Sequence, residues 1–147
     1  MESINQNVEI AADPGKIYEA LTTTAGNRGW WTTDCEVGSK VGEQAVFRFN
    51  HMGGGEGLTE MRFRIDKLAP NEAVEMTCVG HQNNSDWQDT RLAFRLRPAG
   101  GKTTIELAHT GFQAKTKVYE ACIAGWAHFL ASLKKYAETG TGTPHVR

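Results

Sequence analysis

The sequence predicts an α+β domain in which a curved antiparallel sheet wraps around one long C-terminal helix. Three observations carry this. The segment Thr116 to Thr139, TKVYEACIAGWAHFLASLKKYAET, stepped at 100° per residue, gathers Val118, Cys122, Trp126, Phe129, Leu130, Leu133 and Tyr136 on one broad side. Between Ala45 and His109 the apolar period is two, as in strands with one buried face. Short turn sequences separate these runs, as an antiparallel meander requires. A helix of roughly 24 residues is about 36 Å long, so its apolar side needs a cover as long as a small domain. The strands supply it.

The chain of 147 residues suits one domain with a sizeable core. We take residues 1–139 as that domain and the last eight, GTGTPHVR, as a disordered tail. In order, Ile4, Val8 and Ile10 alternate with Asn5, Asn7 and Glu9 in a first strand. Asp13-Pro14 reads as an N-cap followed by proline at the first helical position, and Ile17, Tyr18 and Leu21 give that short helix its apolar side. Gly26 and Gly29 mark a brief, broken helical segment ending in Trp30-Trp31. Strands then follow on Ala45, Phe47 and Phe49; on Met61, Phe63 and Ile65; and on Val74, Met76 and Cys78. Leu92, Phe94 and Leu96 make the next, and Thr103, Ile105, Leu107 and His109 the last. Ala69-Pro70-Asn71-Glu72 and Pro98-Ala99-Gly100-Gly101 make turns. In the long helix Gly125 sits at the edge of the apolar stripe, where it costs about 1 kcal/mol in helix propensity; we expect it to mark close approach of another chain segment. Gly140 serves as the C′ residue.

A formal net charge of −1 argues against nucleic acid and against a polybasic membrane contact. No window approaches the ~20 apolar residues of a membrane span, and the N-terminus lacks the regions of a signal peptide. Cys35, Cys78 and Cys122 are odd in number and widely spaced, so reduced, buried thiols and a cytoplasmic location are expected.

The order of elements resembles the helix-grip fold of the SRPBCC (START-like) superfamily. Asp13-Pro14 through Leu21, the Gly29-Trp30-Trp31 pair, and His109-Thr110-Gly111-Phe112 with Gly125-Trp126 and Phe129-Leu130 narrow the resemblance. These segments are similar to those of the family named after the activator of the ninety-kilodalton heat-shock protein's ATPase, in its single-domain bacterial form. The superfamily includes ligand carriers, cyclases and hormone receptors, so the resemblance implies a fold more sharply than a function. The family's name implies a chaperone partner and a stress-response role.

Few residues offer chemistry. His51 to Gly57 is glycine-rich but lacks the Lys-Ser/Thr of a phosphate loop and precedes a strand; it reads as a hairpin loop and a flap at a cavity mouth. The histidines have no metal-ligand spacing, and no cofactor motif stands out. Only His51 and His109 continue an inward strand phase, a thin basis for acid–base catalysis. His109 reads best as a hydrogen-bonded histidine at the core edge. Arg62, Arg64, Arg91, Arg95 and Arg97 point outward, with Glu75 and Glu106 as cross-strand partners.

The inward aromatics and methionines suit either a solid core or an adaptable pocket. We expect a small hydrophobic or aromatic molecule to bind, without catalysis, against Phe47, Phe49, Met61, Phe63, Met76, Phe94, His109, Trp126 and Leu130. Trp30, Trp31 or Phe112 would close an end. Two alternatives stand beside this reading: a co-chaperone-like module stimulating a chaperone ATPase, and a cyclase- or dehydratase-like enzyme. Monomer and homodimer are both compatible with the sequence.

Overall fold

A computed structural model describes residues 1–50 and 57–147. Strand β1 (Glu2–Ile10) is followed by helices α1 (Pro14–Thr22) and α2 (Thr24–Trp30). Strands β2 (Asp34–Val37), β3 (Gln44–Asn50), β4 (Leu58–Ala69) and β5 (Ala73–Gln82) come next. A 3-10 turn (Ser85–Trp87), β6 (Arg91–Ala99), β7 (Lys102–Phe112) and helix α3 (Lys117–Thr139) complete the order.

The strands form one sheet in the order β1-β7-β6-β5-β4-β3-β2, each adjacent pair antiparallel. From β2 to β7 this is the expected meander, and β1 adds at the far edge beside β7. Register shifts between Arg62 and Phe63 and between Ile65 and Lys67 bend β4, because a bulge raises the local twist. The curvature lets the sheet close over α3, and the α+β helix-grip prediction holds.

Local chemistry sets the helix ends. Asp13 accepts the Lys16 N–H at 3.0 Å, Thr23 accepts the Gly26 N–H at 2.9 Å, and Thr116 accepts the Tyr119 N–H at 3.2 Å. Each satisfies an otherwise orphaned donor of a first turn. The helix α3 runs unbroken through Gly125 and stops at Gly140, whose φ of 87° is left-handed and whose N–H bonds to the Tyr136 carbonyl at 2.8 Å.

Inward strand residues form one core with α3. Phe47, Met61, Phe63, Met76, Phe94, Ile105 and Leu107 are buried beside Trp126, Leu130 and Leu133. The C-terminal half of α3 lies against α1 and α2. There the Trp30 indole donates to the Ala20 carbonyl at 2.9 Å, and a Cβ on Gly29 would collide with the Tyr136 ring.

On the outer face Arg97 pairs with Glu106 at 2.7 Å, as expected. Glu75 meets Lys67 instead, at 3.8 Å, while Arg62 and Arg64 pair along their own strand with Glu60 and Asp66. Arg48 gathers Asp34, Glu36 and Glu60 within 3.0 Å. Among the described residues Arg91 and Arg95 form no ion pair.

The tail departs from expectation. Residues 140–147 do not trail away as a disordered tail but run back along β2 and β3. The Thr143 N–H donates to Ser132 Oγ at 2.8 Å, His145 N–H to the Trp31 carbonyl at 2.8 Å, and Thr33 N–H to the His145 carbonyl at 2.9 Å. Arg147 reaches Asp34 at 2.6 Å and the Asn50 side chain at 3.0 Å. Backbone bonds to an edge need no hydrophobic pattern, so composition concealed this docking.

Candidate functional site

The middle of α3 presents two contrasting surroundings to Trp126. On the sheet side its indole N–H donates to His109 Nδ1 at 3.0 Å. Because Nδ1 accepts, the His109 proton sits on Nε2 and is donated to Thr90 Oγ1 at 2.9 Å. Thr90 then donates to the Trp87 carbonyl at 2.7 Å. His109 and Thr90 are fully buried, and burial pushes the His109 pKa down to about 3. The ring is thus a neutral relay in a satisfied network that fixes the Trp126 side chain. It stays uncharged across the neutral range.

On the other side lies a cavity of about 220 Å³. Helix α3 contributes Val118, Ala121, Cys122, Gly125, Trp126 and Phe129; Trp31, Phe49, Trp87 and His145 complete the wall. Trp87 stacks on Trp126 with centroids 6.2 Å apart and planes at 19°, and Trp31 tilts against Trp126 at 5.2 Å. Trp31 is itself held by Trp30, stacked at 5.4 Å, and by Phe47 at 4.0 Å. Rings locked in this way present a preformed apolar surface.

Gly125 opens onto this space. Among the described residues a Cβ added there meets nothing within 4 Å, so none of them makes the close approach expected at this glycine. The missing side chain leaves room beside Trp126, and no second backbone among the described residues comes within 4 Å.

Polar groups at the wall are few. Cys122 accepts the Trp87 indole N–H at 3.2 Å, and burial pushes its thiol pKa up to about 11; a thiol so placed is a poor nucleophile. His145 accepts the Asn50 backbone N–H through Nε2 at 3.1 Å. Among the described residues no cluster of His, Cys, Asp and Glu could hold a metal ion. Larger hollows lie on the outer sheet face, one of about 490 Å³ walled in part by Arg64, Asp66, Glu75 and Arg91. Water and salt suit those walls better than an apolar molecule.

Of the residues expected to bind a ligand, Phe49 and Trp126 line the cavity. Phe47, Met61, Phe63, Met76, Phe94, His109 and Leu130 are buried in the core behind it. Trp31, expected to close an end, does line the cavity, whereas Trp30 and Phe112 do not. Cys122 and Phe129 were visible in the apolar stripe of the helix. Trp87 lay in a polar loop and His145 in the tail, with no periodic signal to place either. The flap expected over residues 51–57 and the inward His51 fall on positions of which 51–56 are outside the described residues.

A curved sheet closing on one long helix, with an apolar cavity beside the helix, defines a helix-grip domain. The family described as "Activator of Hsp90 ATPase homolog 1-like protein" matches residues 11–138, and the chain belongs to it. Among solved structures, the chain is similar to the Aha1 dimer from Colwellia psychrerythraea, with 34% identity and a TM-score of 0.79, covering 97% of this chain and 100% of that one. A protein of Chromobacterium violaceum shares the fold at 17% identity and TM-score 0.78, covering 92% and 96% of the two chains. DynU16, described as a putative protein in the dynemicin biosynthetic locus, does so at 15% identity and TM-score 0.78, covering all of this chain and 51% of its own. Among curated proteins none matches. Among the described residues no helix is long and apolar enough to cross a membrane.

Proposed function

We propose that this protein binds a small hydrophobic or aromatic molecule, without transforming it, in the cavity beside α3. The observation that carries the reading is the aromatic wall at Gly125, where an unbroken helix leaves about 220 Å³ open beside three tryptophans. An apolar cavity of about 150 Å³ takes up benzene, so one- or two-ring molecules fit this size. The neutral His109 relay supports a binding role, since it orients Trp126 and offers no proton at neutral pH. Three buried free thiols fit a reducing compartment such as the cytoplasm.

The reading is tested with indane, a two-ring hydrocarbon, titrated into labelled protein while the indole N–H signals of Trp31, Trp87 and Trp126 are followed by NMR. Saturable shifts of these signals are expected, and Gly125→Leu should abolish them by filling the space while the fold persists. Shifts that never saturate, or that survive in Gly125→Leu, would refute the site.

A second reading follows from the family: a co-chaperone-like module that engages a chaperone through its outer sheet face, as a monomer or, like its Colwellia relative, a dimer. The exposed Arg91 and Arg95, without ion-pair partners among the described residues, support it. Such binding should weaken steeply with salt. Absence of binding at low salt would remove it.

A further inference from the structure

Besides the indole N–H groups of its tryptophans, the polar side chains of the cavity wall are Cys122 and His145, and these two differ in what they have left to offer. Cys122 is already engaged by the Trp87 indole. His145 is held from three sides. Its backbone is bonded to Trp31 and Thr33, its ring lies against Phe49 with centroids 5.4 Å apart, and its Nε2 takes the Asn50 N–H. A backbone N–H can only donate, so Nε2 carries the lone pair and the proton of the neutral ring is on Nδ1. Among the described residues Nδ1–H has no hydrogen-bond partner, and the His145 side chain is one of those that line the cavity. Burial, and next the Arg147 guanidinium, hold the pKa of this ring below the ordinary histidine value. It is therefore a neutral donor of fixed tautomer in the working pH range.

We infer that His145 is the polar anchor of the cavity, its Nδ1–H donating to an acceptor oxygen on a flat one- or two-ring ligand. The ligand class is then a ring ketone, ester or aryl ether in preference to a plain hydrocarbon. This rests on the binding reading above and makes the C-terminal tail part of the site. Moving a carbonyl from water into an apolar cavity is unfavourable unless a donor meets it, so the anchor reverses an otherwise certain preference. The tail supplies that donor at a place where the sheet and α3 present almost only carbon.

The test compares 1-indanone with indane, which differ by one carbonyl, in the same NMR titration. In the wild type 1-indanone should bind about fivefold more tightly than indane, in line with one net hydrogen bond. Its binding should also shift the imidazole ¹⁵N resonance of His145 Nδ1, which indane should leave in place. In His145→Phe, which keeps a ring against Phe49, the order should reverse in favour of indane. His145→Gln, whose amide both accepts and donates, should restore part of the preference for the ketone. If both compounds bind the wild type but indane binds more tightly and Nδ1 does not move, the anchor is refuted and the cavity reading stands. If neither binds, both fall together. Should His145→Phe release the tail, the wild-type affinities and the Nδ1 shift still decide.

Discussion

The two halves of α3 carry the same kind of apolar stripe and end in opposite circumstances. From Leu130 to Ala137 the helix is gripped by the sheet and by α1 and α2, and Leu130, Ser132, Leu133 and Ala137 are all buried. Ser132 donates to the Trp30 carbonyl at 2.7 Å, and Gly29 is a glycine because Tyr136 occupies the space a side chain would need. From Val118 to Phe129 the same stripe meets a gap. Gly125 is open, Ala121 is exposed, and distant rings and the tail form the far wall. Identical periodicity therefore produced a solid core in one half and a cavity in the other. The difference lies in side-chain volume and in what covers the stripe, neither of which the phase of a helix reports.

The packed half should fail first. Leu133 is fully buried, and Leu133→Ala should cost about 2–5 kcal/mol, because the rigid surroundings cannot collapse into the space vacated. Denaturant unfolding measures this. A loss below about 1 kcal/mol would mean that this half too has room to relax, and the contrast along α3 would disappear.

Next in size is the acid response of the network that fixes Trp126 in the open half. Unfolded His109 titrates near 6.5, whereas folded it does so at about 3. Between these values the unfolded chain binds a proton that the folded chain refuses. The stabilisation is therefore complete above about pH 6.5 and is lost as pH falls toward 3, by about 1.4 kcal/mol per pH unit. His145, also lowered, adds in the same direction. Between pH 6.5 and 4.5, above the ordinary carboxylate range, His109→Gln should remove about one proton from the pH dependence of unfolding. An unchanged slope would show that the His109 ring charges in place.

Much of this was legible in residue order. The strands could be read because each buries one face, and α3 because its stripe is broad and its ends carry Thr116 and Gly140. His109 could be recognised from its strand phase as an inward, hydrogen-bonded histidine, but it lies fully inside the core and not at its edge. The site was only partly legible. Phe49 and Trp126 were found because they point inward, but so do Phe63, Phe94 and Met76, and only packing separates wall from core. Trp87 is delivered by a three-residue 3-10 turn inside a polar loop, and His145 by backbone bonds to Trp31 and Thr33, just before the edge strand β2. Neither placement leaves a period in the sequence. Gly125 was misread because glycine in a helix signals close packing and empty space alike.

That ambiguity makes the pair Gly29 and Gly125 the finest probe of the contrast. Both are helical, so replacement by alanine improves helix propensity in both by up to about 1 kcal/mol. At Gly29 the added methyl must displace the Tyr136 ring, and overpacking costs about 1–3 kcal/mol; Gly29→Ala should therefore be net destabilising. At Gly125 the methyl enters space that the described residues leave open beside Trp126, so none of them opposes the propensity gain. Gly125→Ala should stabilise the domain by about 1 kcal/mol, raising its denaturation midpoint at unchanged slope. It should also weaken indane binding, since the methyl narrows the space the ligand needs. Stability would rise while binding falls, which is the behaviour of a cavity kept open at the expense of the helix that lines it. If Gly125→Ala destabilises the protein as Gly29→Ala does, the space beside Trp126 is already filled in solution, and the helix is gripped along its whole length.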